Sequence, residues 1–290
     1  MITIQLMGGL GNQLFQVFAT IAYAFENSHQ FVFPYSDRLL IGRIRQTYWH
    51  SFLSNLTIFT TKNPVCKFSN DDLKLVPTIK EPGFHYTKIP KVSANISISL
   101  NGYYQSYKYF DAYQDKIYAM ILLSNQQKSV KSKYAKYLDN IFTISMHFRL
   151  GDYKEKQHYH PIMPAAYYEA ALMHILIKKY KVDSPIKILY FCEAEDNSIV
   201  EGVMNYIRTR FTQYLQLEIV KVEDGMDDWQ QLLLMSCCSD NIIANSSFSW
   251  WGAYLNQSPD KCVCYPHIWF GPAMGEINTD DLFPPTWQRI

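Results

Sequence analysis

The chain opens on a strict alternation, with Ile2, Ile4 and Leu6 separated by Thr3 and Gln5, the period of a strand. Gly8-Gly-Leu-Gly11 and Asn12 interrupt it, and apolar residues then recur at helical spacing over residues 14–25. The start therefore predicts strand, glycine turn and helix. Phe31-Val-Phe33 is a second short apolar run, stopped by Pro34. From residue 35 to 95 the periodicity is lost, and Pro64, Pro77, Pro82 and Pro90 punctuate the segment, which predicts loops and short elements. Alternation returns in Ile96-Ser-Ile-Ser-Leu100 before Asn101-Gly102, and residues 109–122 fit a helix.

Residues 124–140 are polar and lysine-rich, the composition of a linker or inter-domain helix. A regular series follows it. Residues 141–146, 186–192, 217–220, 242–244 and 262–265 read as strands, and 165–180, 197–208, 229–237 and 248–255 as helices. Strands alternating with helices at this spacing predict a parallel sheet covered on both faces. The expected organisation is two α/β domains, 1–135 and 136–290, facing across a cleft, with the last segment returning to the first domain.

Composition narrows the function classes. The chain has 290 residues, 48% hydrophobic and 18% charged, with a net charge of +1. Its basic residues are scattered, so neither a nucleic-acid groove nor an anionic membrane surface is indicated. No uninterrupted apolar stretch of about 18 residues suggests a transmembrane anchor, and the first residues lack a basic leader. A cytoplasmic location is the expectation. The six cysteines show no zinc-like CxxC pairing; Cys237-Cys238 are adjacent and Cys262-Val-Cys264 alternate along an expected strand. Reduced structural thiols are the default.

Three islands carry chemistry-bearing residues at element junctions. Gly8-Gly-Leu-Gly-Asn12 links a strand to a helix, where backbone N–H groups and the helix dipole can face an anion; a tight turn is the competing reading. His147-Phe-Arg-Leu-Gly-Asp152 follows a strand end, where parallel sheets form ligand crevices. Arg149 offers a planar fork suited to a diphosphate without a metal, or an ion pair with Asp152 that only fixes the loop. His147 either orients a neighbour or is a core histidine. Asn245-Ser-Ser-Phe-Ser-Trp-Trp-Gly252 is again strand, hydroxyl-rich turn and helix, and its serines either cap the helix or donate to phosphate oxygens.

Together these islands resemble the α-1,2-fucosyltransferases of glycosyltransferase family eleven, in a compact form. The resemblance spans nearly the whole chain and rests on Gly8-Gly-Leu-Gly-Asn-Gln-Leu-Phe-Gln16, Gly102-Tyr-Tyr-Gln-Ser-Tyr-Lys-Tyr-Phe110, His147-Phe-Arg-Leu-Gly-Asp-Tyr153, and Leu234-Met-Ser236 continuing through Ile242 to Leu255. It implies a GT-B-like fold of two Rossmann-like α/β domains, acceptor side first and GDP-sugar side second. It also implies inverting, metal-independent transfer of L-fucose from GDP-fucose to the 2-hydroxyl of a galactoside, with no cofactor.

Arg149 matches the arginine that neutralises the GDP diphosphate. Asn245, Ser246 and Ser247 match positions near the donor, and Gly9, Gly11, Asn12 and Gln13 match the loop facing the cleft. For the base, Asp152 stands first and His147 second, with Glu155 and His160 also within the segment. The alternatives are another donor or acceptor on the same scaffold, or a carbohydrate-binding relative without catalysis. The chain departs from the family pattern at Leu150, at Cys192-Glu-Ala-Glu-Asp196, at Gln230-Gln231 and at Asp240-Asn241. These departures bear on how the nucleobase is held.

Overall fold

A computed structural model describes residues 1–40, 43–139, 141–179, 185–212 and 216–290. Asn140 and Tyr180, which end two of the stretches delimited above, lie outside the described residues. The chain forms two compact units, Met1–Gln126 with Ile277–Pro284 and Gln127–Glu276 with Pro285–Ile290. Both are α/β with parallel sheets, as expected.

In the first unit β1 (Ile2–Ile4) leads through the glycine turn into α1 (Leu10–Glu26). The helix starts four residues earlier than its apolar period, because Gly9 is its N-cap. Fourteen of its residues are buried, including Gln13, Gln16 and Thr20. Burial of such polar groups requires partners, and each has one. Gln16 accepts from the Met7 N–H at 2.8 Å, Thr20 donates to the Gln16 carbonyl at 2.7 Å, and Gln13 donates to the carbonyls of Gly8 and Gln46 at 3.0 and 2.9 Å.

The irregular segment contains only short elements. These are the antiparallel pair β2 (Arg38–Leu39) and β3 (Arg45–Gln46), a 3-10 turn at Ser54–Phe59, α2 (Asn70–Lys74) and β4 (Thr78–Lys80). β5 (Ile98–Asn101) lies between β1 and β4, parallel to both. β4 was not predicted, since three residues between Pro77 and Pro82 are too few to display a period. Residues 109–113 form 3-10 turns before α3 (Gln114–Met120), so the expected helix is shorter. The boundary between units falls inside α4 (Leu123–Lys133), which α5 (Ala135–Leu138) follows.

The second unit runs β6 (Phe142–His147), α6 (Ala165–Lys179), β7 (Ile186–Phe191), α7 (Asn197–Arg210), β8 (Leu217–Lys221), α8 (Asp228–Ser236), β9 (Asp240–Ile242), α9 (Ser247–Tyr254), β10 (Val263–Tyr265) and β11 (Gln288–Arg289). Its six strands are parallel in the order β8-β7-β6-β9-β10-β11, which is the doubly wound order of a Rossmann sheet. β7 is buried at every position, as a strand covered on both faces must be. Gly252 lets α9 lie close to α8, because a Cβ there would sit 2.9 Å from Cβ of Met235. Trp250 and Trp251 are fully buried, so they belong to the core.

Candidate active site

The strand order locates a crevice in the second unit. The chain leaves β6 toward β7 and β8, then returns to the other side of β6 as β9. Where successive connections diverge in this way, the loops at the carboxyl ends leave room for a ligand. The loops at this point are 148–151 after β6 and 243–246 after β9. His147, Arg149, Asp152, Asn245, Ser246 and Ser247 are thereby gathered, and the two loops touch. The Tyr153 hydroxyl donates to the Asn245 carbonyl at 3.2 Å, and the rings of His147 and Phe248 lie 5.4 Å apart.

Arg149 is held on three sides. Its two terminal nitrogens pair with the carboxylates of Glu193 and Asp152, and its guanidinium lies 5.1 Å from the ring centroid of Tyr153. Its side chain is 19% exposed. Burial alone lowers the guanidinium's proton affinity, but the Glu193 and Asp152 charges and Tyr153 more than offset this and raise it above normal. The fork is rigid, charged and reachable. Tyr153 is itself backed by His160, stacked at 4.7 Å.

The loop around the arginine depends on Gly151, whose φ of +38° favours glycine. A Cβ there would also lie 2.8 Å from Glu193 Oε2. The Gly151 N–H donates to Asp196 Oδ2 at 2.8 Å, and Lys154 pairs with the other oxygen of Asp196 at 2.6 Å. These bonds tie the loop after β6 to the loop after β7. Glu193 and Asp196 were visible in the sequence only as part of a departure from the family pattern. The signal that identifies them is position, two and five residues past the end of the strand adjacent to β6.

His147 closes β6 with its ring buried against Phe248. Burial, and then the charge of Arg149, push its pKa down to about 3, so the ring is neutral across the physiological range. Asn245 is also buried; its amide donates to the carbonyls of Pro161 and Trp269 at 2.9 and 3.2 Å. Ser246 is the N-cap of α9 and accepts from the Phe248 N–H at 3.3 Å. The capping reading of that serine is the one the structure displays, and Ser247 opens the helix.

In the first unit the glycine loop is built differently. Gly8 has φ +78°, and a Cβ there would come within 2.6 Å of Asn12 Nδ2. Gly9 is an N-cap without a side-chain cap, and a Cβ added to it would meet nothing within 4 Å. Gly11 and Gln13 are buried within α1, while Asn12 accepts from Gln105 Nε2 at 2.8 Å. That bond joins the first motif to Gly102–Phe110. Nearby, Glu81 accepts the N–H groups of Tyr103 and Tyr104 at 2.8 and 2.9 Å, and the space it fills is free only because residue 102 is glycine.

The other departures have structural work. Gln230 accepts from the Tyr134 hydroxyl at 2.8 Å and from Lys133 at 3.2 Å. Asp240 is buried, pairs with Lys179 at 2.5 Å and accepts the Cys262 N–H at 2.6 Å. Asn241 donates to Ser145 Oγ at 2.7 Å and accepts from Asn256 at 2.9 Å. Among the described residues, three metal-type side chains converge in two places: Glu193 with Glu195 and Asp196, and His174 with Cys262 and Cys264. In the first, Asp196 is already engaged by Lys154 and Gly151. Among the described residues no helix is long and apolar enough to cross a membrane.

The sequence is similar to those of known proteins. An α-1,2-colitosyltransferase of Escherichia coli is 26% identical over 309 aligned positions, covering 99% of this chain and 97% of its own. An O-antigen biosynthesis glycosyltransferase of the same organism, WbnK, is 28% identical over 187 residues, 62% of this chain and 58% of its own length. Among solved structures, POFUT1 in complex with GDP has 11% identity and a TM-score of 0.48, over 91% of this chain and 97% of that one. The profile of Glycosyl transferase family 11 matches residues 1–287, from the first strand through the last buried tryptophan. Matched over residues 1–287 of its 290, this chain belongs to glycosyltransferase family 11.

Proposed function

We propose that the enzyme transfers L-fucose from GDP-β-L-fucose to the 2-hydroxyl of a galactoside, inverting the anomeric centre to form an α-1,2 linkage. The observation that carries this reading is Arg149, a fork held by carboxylates at the switch point of a Rossmann sheet. The diphosphate takes the place of those carboxylates on the guanidinium. As GDP departs, charge builds on its terminal phosphate, and a preorganised cation there stabilises the transition state. The helix start of α9 adds N–H groups of the same sign. No divalent metal and no cofactor is required in this scheme, because the guanidinium supplies the charge; full turnover in a chelator is the expected result.

Proton transfer falls to Asp152. Its carboxylate pairs with Arg149 in the free enzyme, and the incoming diphosphate releases it to accept the acceptor's proton. His147 acts as packing beneath the loop, since a base of pKa about 3 has little affinity for a proton at neutral pH. The family resemblance assigns Gly9, Gly11, Asn12 and Gln13 to contacts with the donor.

A second reading differs in the donor. The relative aligned over 97% of its length is named for colitosyl transfer in an α-1,2 linkage, which favours the linkage and makes a GDP-linked deoxysugar other than fucose the natural rival. One experiment tests both: incubation with GDP-fucose, GDP-colitose and UDP-sugars over a panel of galactosides, followed by linkage analysis. An α-1,2-fucosylated galactoside is expected. Transfer from GDP-colitose alone establishes the second reading, and use of UDP-sugars overturns both.

A further inference from the structure

Cys262-Val-Cys264 takes no part in the scheme above, yet its side chains are not dispersed in the core. Cys264 is central in β10 and Cys262 immediately precedes that strand, so the two thiols fall on one face, the face covered by α6. Tyr167, Ala171 and His174 recur on α6 at intervals of four and three residues, one stripe of a helix. That stripe meets the strand: the Tyr167 hydroxyl donates to the Cys264 carbonyl at 3.1 Å, and the Cys264 thiol approaches the Ala171 carbonyl at 3.8 Å. The next residue of the stripe is His174. One of its ring nitrogens and both sulfurs lie within 4.8 Å of one another.

Three features distinguish this group from ordinary core packing. Neither thiol is in a disulfide, and both cysteines are buried. His174 Nε2 is shielded from solvent and has no hydrogen-bond partner, an unusual state for a buried imidazole nitrogen. The spacing also fits an ion. Tetrahedral zinc with the usual Zn–S and Zn–N lengths separates its ligand atoms by about 3.6–3.8 Å, so a closure of roughly 1 Å or less completes the shell.

We propose that His174, Cys262 and Cys264 form a structural site for a soft divalent cation, zinc above all, with water as the fourth ligand. Binding releases one proton from each thiol to solvent, and two thiolates with one neutral imidazole leave the bound ion uncharged overall. A neutral assembly is the form that a buried position tolerates best. The ion would pin α6 to β10, and α6 is the helix that follows the Arg149 loop. It would not touch the reacting sugar.

The whole enzyme, reduced and stripped of metal, is titrated with cobalt as a spectroscopic substitute and then with zinc. The expected result is a thiolate-to-cobalt charge-transfer band and tetrahedral visible bands that saturate at one equivalent and disappear when zinc is added. Thermal denaturation with zinc should shift upward. Cys264→Ser should abolish the band; because that site is fully buried, His174→Gln at the half-buried helix position provides a second variant, in which the tetrahedral bands should be lost. Cys237→Ser should leave the spectrum unchanged. No charge-transfer band in the wild type, a band that survives His174→Gln, or a Cys262–Cys264 disulfide in the freshly isolated chain would each overturn the assignment.

Discussion

The β6 loop of the second unit and the glycine loop of the first both stand where a strand gives way to helical structure, but they present different chemistry. Around β6 the polar side chains point to one another as exchangeable partners, with Arg149 between Glu193 and Asp152. In the glycine loop they are committed to the fold: Gln13 holds Gly8 and Gln46, and Asn12 holds Gln105. What remains there for a ligand is backbone, the uncapped first turn of α1 beside the open position Gly9. The β6 loop offers charge and the glycine loop offers backbone.

The largest effect should come from the charged grip. Arg149→Ala removes a preorganised cation from a developing charge, which is expected to lower turnover on the order of a hundredfold or more. The fold should survive, because the two ion pairs lost are partly exposed and surface pairs contribute about 0–1 kcal/mol. Near-normal transfer by a folded Arg149→Ala enzyme would remove the charged half of the comparison. Asn12→Ala is the counterpart in the other loop; it removes the acceptor of the Gln105 amide, and its expected effect is a smaller loss of transfer than in Arg149→Ala.

The buried polar groups beneath the two loops differ as well. Gln13 and Gln16 cannot titrate, whereas His147 can. Its folded pKa of about 3 lies below the ordinary value of about 6.5. The unfolded chain therefore gains a proton first as pH falls, so the contribution of the neutral ring is complete above about 6.5 and is lost between there and 3. At pH 5 the loss amounts to about 2 kcal/mol. Glu81 in the first unit goes the other way, since burial raises its pKa despite its two N–H donors; protonation on acidification favours its folded state. Thermal unfolding followed from pH 8 to 5 should show the acid-labile transition, and His147→Gln should flatten that dependence. An equally steep pH profile in the variant would assign the lability to another group.

Much of this contrast was legible in the residues. Period and spacing gave the strand and helix order of the second unit because its apolar runs alternate with helical stretches, and β6 and β7 are long enough, six residues each and almost wholly buried, to read as strands covered on both faces. β4 and β11 have three and two residues and no readable period. Arg149 stood out by its place just past a strand, and the pair with Asp152 that the spacing also allowed is present. The partners of Asn12, Gln13 and Asn245 could not be read, because an amide's role depends on which carbonyl or amide it meets, and Gln105, Gln46 and Trp269 are far away in sequence. Glu193 was hidden for the opposite reason: it looked like a deviation, and only the neighbouring of β6 and β7 turns it into a partner of Arg149.

The backbone half can be tested through its glycines. Gly8→Ala puts a side chain at φ +78° against Asn12, which should cost about 1–2 kcal/mol and lower the midpoint of chemical unfolding. Gly9→Ala has an allowed backbone and empty space around it, so its cost is only that of a poorer N-cap, about 0.5–1 kcal/mol. If shape is what the loop offers, Gly9→Ala should nonetheless reduce transfer several-fold, since the added methyl occupies the ground a ligand approaches. Full activity in Gly9→Ala would mean that no ligand comes near this turn.

The smallest expected change in binding concerns the partners of the arginine. If Glu193 merely occupies the fork until the diphosphate arrives, Glu193→Gln takes away a competing charge near the incoming anion. Two unit charges about 6–8 Å apart near a protein surface interact by roughly 0.5–1 kcal/mol once screening is included, so GDP should bind several-fold more tightly with turnover preserved. Asp152→Asn removes a like charge from the same fork and should show the same gain in GDP affinity, but with turnover lost, because the proton acceptor has gone with it. Calorimetric titration of GDP and steady-state transfer on the two variants separate the possibilities. Weaker GDP binding in both would mean that the carboxylates orient the guanidinium for the diphosphate instead of yielding it, and the β6 loop would then be as firmly committed to its own fold as the glycine loop.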